Sequence, residues 1–324
     1  MSPQHFCTLF DSNYLFKGVA MLRSLFLHCP EAHVHVLCMD AQTRQVIERL
    51  RFPAVTCLSL DDVEDDALRA AKKDRSVAEY CWTLSPCLPS HVMEHNPEIR
   101  FLTYIDADLL FYAPVQPLFD EIGDASIAII EHRFTPRLQH REVNGRFCVE
   151  WVGFRRDTQG LACLARWRAQ CVAWCYYRLE DGKMGDQKYL DTWPADFPST
   201  HVLQHGGAGI APWNYAQYRF GGTAAGAITV DGAALIFYHF HQFQLLDNGK
   251  YDRLSTFYTS ECAEPAAVYE AYEVALAQAV DDVRTVVPGF SVGMKPASHL
   301  ASRRWARRLL PRFVRDLLLR LVRA

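Results

Sequence analysis

The chain has 324 residues, is 50% hydrophobic, 12% aromatic and 22% charged, and carries a net charge of −3. That balance excludes disorder for the bulk of the chain and suits one large domain, or one domain with appendages. The opening Met1-Ser2-Pro3-Gln4-His5 has no basic segment followed by an apolar one, and no stretch reaches the ~20 apolar residues of a membrane span, so neither a signal peptide nor a spanning helix is expected.

Apolar, β-branched segments at 5–10, 33–39, 54–60, 100–105 and 126–131 predict strands. Between them, 14–28 repeats Leu15, Val19, Leu22, Leu25 and Phe26 on one helical face, 41–50 is helical, and 76–95 holds one or two helices around Pro86 and Pro89. This alternation predicts an α/β fold with a mainly parallel central sheet and helices on both faces. Ligands of such sheets bind beyond the carboxyl ends of the strands. That rule puts 8–13, after the first strand, on the same edge as Asp106 and Asp108, after the fourth.

The strand carrying Leu102, Tyr104 and Ile105 ends in Asp106-Ala107-Asp108, and alternation sends both carboxyls to one side. Two close like charges raise each other's pKa unless something positive lies between them. A hard divalent cation carrying a diphosphate meets that need. An Asx turn at a strand end is the alternative reading.

Further along, 147–154 predicts a strand, 160–177 a helix with Leu161, Leu164, Trp167, Cys171 and Trp174 as a core stripe, and 235–240 a late strand. Gly206-Gly207-Ala208-Gly209 lacks the Lys-Ser/Thr of a P-loop and the spacing of a dinucleotide turn. The eleven cysteines are odd in number and never form CxxC, as expected of reduced core thiols in a cytoplasmic protein. Cys171 and Cys175, one helical turn apart, read as packing residues.

A linker is expected at 293–298. Beyond it, 299–324 carries eight arginines against Asp316, a charge of +7 that leaves −10 on the body. Trp305, Leu309, Leu310, Phe313, Val314, Leu317, Leu318 and Leu321 recur at three and four, the pattern of a basic amphipathic helix lying on an anionic membrane surface. Docking on the acidic body is the competing reading. Nucleic acid is not an expected partner, since no recognised motif accompanies the arginines.

Several separate stretches carry a resemblance. Cys7-Thr8-Leu9-Phe10-Asp11-Ser12-Asn13-Tyr14, Tyr104-Ile105-Asp106-Ala107-Asp108-Leu109-Leu110, Val152-Gly153-Phe154, Gly185-Asp186-Gln187 and Phe237-Tyr238-His239-Phe240 stand in the order seen in glycosyltransferase family 8. Over residues 5–245 the chain resembles a bacterial sugar transferase of the kind that builds lipopolysaccharide or capsule, as a separate branch. The resemblance implies a GT-A, Rossmann-like fold, with 1–245 catalytic, 246–297 a helical extension and 298–324 the basic tail.

It also implies a metal-dependent transfer from a nucleotide sugar to a glycan or lipid-linked acceptor, retaining configuration, and the basic tail would hold such an enzyme at the inner face of the cytoplasmic membrane. Thr8, Asp11, Asn13 and Tyr14 would contact the nucleotide, although Asp11 and Ser12 equally suit a helix N-cap. Asp106, Ala107 and Asp108 would face the diphosphate. Asp106, Asp108 and His239, or His241 in its place, would hold Mn²⁺ or Mg²⁺. Asp186 and Gln187 would face the transferred sugar.

The chain departs from the family where His239-Phe240-His241-Gln242-Phe243-Gln244-Leu245 lacks the glycine and the lysine of His-x-x-Gly-x-x-Lys-Pro-Trp. Cys81-Trp82-Thr83 follows Tyr80 where the family has an arginine, and no asparagine precedes Gly153. An inverting reaction would call on Glu150 as base, and Trp213 and Tyr215 are candidate acceptor platforms. Two other readings are a nucleotidyltransferase, for which 8–17 lacks the glycine-rich basic loop, and a non-catalytic nucleotide-sugar-binding module.

Overall fold

The structure is a computed structural model that describes residues 3–224, 226–253, 258 and 262–298. The strands are β1 (His5–Phe10), β2 (His33–Cys38), β3 (Val55–Ser59), β4 (Phe101–Ile105), β5 (Leu109–Phe111), β6 (Ile127–Glu131), β7 (Phe147–Arg155) and β8 (Thr200–Leu203). After these come β9 (Phe220–Gly222), β10 (Ile228–Val230), β11 (Ala233–Ala234), β12 (Phe237–His239), β13 (Gln244–Leu245) and β14 (Tyr251–Asp252). The helices are α1 (Leu15–His28), α2 (Ala41–Leu50), α3 (Leu60–Val63), α4 (Asp66–Lys72), α5 (Val77–His95), α6 (Gln116–Ile122), α7 (Thr158–Ala173), α8 (Trp193–Asp196) and α9 (Ala266–Val286).

Seven strands form the central sheet in the order β3-β2-β1-β4-β7-β6-β8. All neighbours run parallel except around β7, which is antiparallel to both β4 and β6. The mainly parallel expectation is met, with that one reversed strand inserted beside β4. Because β1 and β4 are adjacent and parallel, with Cys7 opposite Tyr104, their carboxyl ends open on one edge. The expected shared edge of Asp11 and Asp106 follows directly from this pairing.

Alternation along β1 feeds both faces. Phe6 and Phe10 pack with Leu15, Val19 and Leu22 of α1 and Tyr269, Tyr272 and Leu276 of α9. Cys7 and Leu9 pack on the other face with Leu84, Leu88 and Val92 of α5 and Leu164, Trp167 and Cys171 of α7. The sequence left open one or two helices around Pro86 and Pro89; α5 runs through both, opened by a Ser76/Glu79 capping box. Both prolines are buried, so packing of that face outweighs the roughly 3 kcal/mol an interior proline costs.

Helix α7 stops at Ala173, short of the expected 177, where Arg75 donates to the carbonyls of Cys171 and Val172 at 2.8 and 2.6 Å. A side-chain cap of this kind satisfies carbonyls that a further turn would otherwise have to satisfy. No cysteine among the described residues is in a disulfide, and no described helix is long and apolar enough to cross a membrane.

The expected linker at 293–298 is docked rather than free. Lys295 bridges Leu246, and the Ala297 amide donates to Asp247 Oδ1 at 2.9 Å. Gly293 has φ +84° and lies so close to Asn13 that a Cβ would overlap the Asn13 carbonyl oxygen. The amphipathic pattern of 299–324 lies outside the described residues.

Candidate active site

The loop after β1 is built by short-range polar contacts. Asp11 accepts from the Asn13 amide at 2.9 Å and from Asn13 Nδ2 at 2.8 Å, which makes an Asx turn. Helix α1 then opens at Tyr14 with no side-chain cap, so the expected N-cap role of Asp11 and Ser12 is not the one they take. Ser12 instead donates its amide and hydroxyl to Asp40 Oδ2, at 2.7 and 2.6 Å. Asp40 caps α2 through its other oxygen and so ties this loop to the next helix. Thr8 lies inside the sheet with no exposed surface, while Tyr14 is 40% exposed.

Two backbone ladders bring the acidic turn to His239. β5 pairs with β12, placing His239 opposite Leu109, and the Phe240 amide donates to the Asp108 carbonyl at 2.9 Å. His239 Nε2 thereby sits 3.0 Å from Asp108 Oδ1 and 3.8 Å from Asp106 Oδ2. Ligand atoms of these three side chains all lie within 4.8 Å of one another. Neighbouring ligands of an octahedral cation with bonds near 2.1 Å are about 3 Å apart, so the His239–Asp108 separation fits one ion and Asp106 lies close enough to join it. Two carboxyl oxygens and one imidazole nitrogen suit Mn²⁺ or Mg²⁺ better than a soft metal.

The electrostatics of the cluster divide the two carboxyls. Partial burial, with Asp108 and Glu150 adding to it, pushes Asp106 up to about 7 against the pull of His239. Burial acts on Asp108 in the same sense, yet His239 and Lys17 hold it well below the usual carboxylate range. Lys17 Nζ, on α1, lies 3.5 Å from Asp108 Oδ2 and 4.3 Å from the centre of the Tyr14 ring. Burial lowers the Lys17 pKa and Asp108 opposes that, while Lys295 lowers it further. A net arrangement of acid pair, imidazole and buried ammonium can bind a cation and an anion side by side.

Asp186 lies within electrostatic reach of Asp106. It is 5% exposed, burial pushes its carboxyl to about 7, and Asp106 is close enough to add to that rise. Trp167 Nε1 holds its carbonyl at 3.0 Å. Gln187 turns away, donating Nε2 to the Asn144 carbonyl at 3.0 Å beside Gly145.

Four sequence expectations are revised. His241 is not in the triad; its Nδ1 meets the Tyr258 hydroxyl at 2.8 Å, and burial, then repulsion from His239, lowers it to about 3. Glu150 has no exposed surface and bonds His239 Nδ1 at 2.6 Å, so it cannot face a sugar as a base. Trp213 and Tyr215, 3% and 2% exposed, are walls rather than platforms. Trp213 stands edge-on to His239, with ring centres 5.2 Å apart, and bonds the His132 carbonyl at 2.8 Å. Sequence reasoning also missed Lys17, whose apolar helical neighbours carried no sign of a partner.

Comparison with known proteins bears on this geometry. No family model matches the chain. The uncharacterized protein YfnD of Bacillus subtilis (strain 168) is 31% identical over 299 residues, covering 91% of this chain and 96% of its own. Among solved structures, an active-site mutant of LgtC superposes with a TM-score of 0.50 at 13% identity, over 85% of this chain and 95% of its own. The glycosyltransferase GlyE of Streptococcus pneumoniae TIGR4 reaches 0.52 at 11% identity, over 88% of this chain, which spans 63% of GlyE. These likenesses establish a GT-A fold.

Proposed function

The chain belongs to the family of Bacillus subtilis YfnD, and on its GT-A fold we propose that it is a metal-dependent, retaining hexosyltransferase. Its donor is a nucleotide sugar, and its acceptor a glycan or lipid-linked glycan of surface polysaccharide or lipopolysaccharide synthesis. The observation that carries this reading is the Asp106, Asp108 and His239 triad beside Lys17, on the edge where the Asp11–Asn13 turn also opens.

Asp11, Asn13 and Tyr14 take the base and ribose, and Thr8 supports that turn from inside the sheet. Asp106, Asp108 and His239 hold Mn²⁺ or Mg²⁺, with Ala107 between the carboxyls at the diphosphate. When bound, the ion supplies charge neutralisation for the departing diphosphate without a proton. Lys17 adds a fixed positive group on the same side, a role that needs no lysine after His239. Asp186 faces the sugar and stabilises positive charge at the anomeric carbon, with Gln187 holding the adjoining turn. The burial of Glu150 favours retention, since the carboxyl that inversion would require is turned into the core.

Residues 1–245 supply these groups, and 246–297 pack against them as an extension. The basic tail is proposed to hold the protein on the inner face of the cytoplasmic membrane. Deleting 299–324 is expected to move the protein from the membrane pellet to the supernatant.

The test of activity is incubation with a panel of nucleotide sugars and Mn²⁺, reading release of nucleoside diphosphate. Release that stops on chelation and returns with Mn²⁺ is expected. Neither release nor binding with any donor overturns the assignment.

A further inference from the structure

Strand β7, FCVEWVGFR, is buried from Phe147 to Phe154, and Glu150 is the one acid within it, with no exposed surface. A carboxyl in that position is costly unless it meets donors. One oxygen, Oε2, accepts from His239 Nδ1 at 2.6 Å. The other, Oε1, has no hydrogen-bond partner. A valine there would serve the sheet without leaving a buried acceptor empty, so the fold itself does not account for this side chain.

The imidazole does. Which ring nitrogen of a histidine can face a cation is decided by the partner of the other nitrogen. With Nδ1–H committed to Glu150, Nε2 is the nitrogen directed at Asp108 and Asp106, 3.0 and 3.8 Å away. The Glu150 carbonyl also accepts from the Asp106 amide at 3.3 Å, so one residue steadies the imidazole by its side chain and a carboxyl-bearing residue by its backbone. Cys148 lies in the same buried group with Glu150 and His239. The short Glu150–His239 bond explains that grouping without a second ion.

We infer that Glu150 is a positioning residue that makes His239 a cation ligand, fixing its ring and tautomer from behind. This rests on the cation reading proposed above and assigns Glu150 a role different from that of a base toward the sugar. A carboxyl behind a metal-bound imidazole is worth roughly 10- to 100-fold in cation affinity.

The test is calorimetric titration of the full chain with Mn²⁺ alone, for the wild type, Glu150→Gln and Glu150→Leu. Glutamine keeps an acceptor for Nδ1–H and leucine removes it. Affinity is expected to fall roughly 10- to 100-fold in Glu150→Leu, with Glu150→Gln between the two. Equal affinity in all three overturns the positioning role alone, whereas a wild type that binds no Mn²⁺ overturns the cation reading beneath it. Nitrogen-15 spectra of the Mg²⁺-loaded wild type decide the matter even where a variant does not fold. His239 protonated at Nδ1 and bare at Nε2 is the expected signature, and the opposite tautomer overturns the inference.

Discussion

His35 and His239 are almost equally buried, at 4% and 3% exposure, yet their imidazoles are driven in opposite directions. His35, inside the sheet on β2, is lowered to about 4, by burial first and then by repulsion from His33, His5 and His91. Its ring lies 4.9 Å from that of His33. His239 bears the same burial penalty, but Asp108 above all, with Cys148 and Glu150, raises it well above 6.5. Burial therefore does not tell a histidine set among carboxyls from one set among other histidines. What separates them is the set of carboxyls around His239, which favour its charged form.

The largest effect expected from this contrast is at the acidic end. Asp108→Asn removes a cation ligand and the partner of Lys17, and metal-dependent binding of nucleoside diphosphate should fall by more than the roughly 100-fold typical of outer-shell losses. Calorimetry with Mn²⁺ present reads this, and an unchanged affinity would refute the ligand role. Next comes the other histidine. His35 titrates near 6.5 when unfolded and about 4 when folded, so its stabilising contribution is complete above pH 6.5 and is lost as pH falls from there to 4.

That loss is on the order of 3 kcal/mol. Urea unfolding across this range should give a flatter profile for His35→Leu than for the wild type, and parallel profiles would break the contrast. The smallest effect sharpens it: His33→Thr should raise the His35 pKa only part of the way back to an ordinary histidine value, because burial is the larger cause. A proton-NMR titration returning His35 to an ordinary histidine value would instead assign the shift to its neighbours.

The sheet and one half of the site were legible because they rest on local pattern. The β-branched runs gave the strands, and the strand-end rule placed Asp11 and Asp106 on one edge. His239 was found with them, but His241 competed until the β5–β12 pairing set the register. Lys17 was illegible for a different reason. Nothing in the spacing of α1 distinguishes an exposed lysine from one reaching back to a carboxyl on the neighbouring element. Glu150 was seen, but alternation along β7 does not say what lies behind His239. The segment at 293–298 read as a linker because glycine and proline mark loops, and a loop pressed against distant backbone has the same composition as a free one.

That docked segment also bears on how the molecule is made. Gly293 rests on the backbone of Asn13, so the turn after β1, itself held by local bonds, gains this packing only once the long intervening chain has been made. Contacts this distant in sequence form late, after the loop-closure entropy of the intervening chain has been overcome. A nascent chain can lay down β1 to β4 and its acidic turn well before Gly293 arrives beside Asn13. The loop after β1 is then packed from that side only when nearly all of the described protein has been synthesised, and the order of translation itself delays that last step.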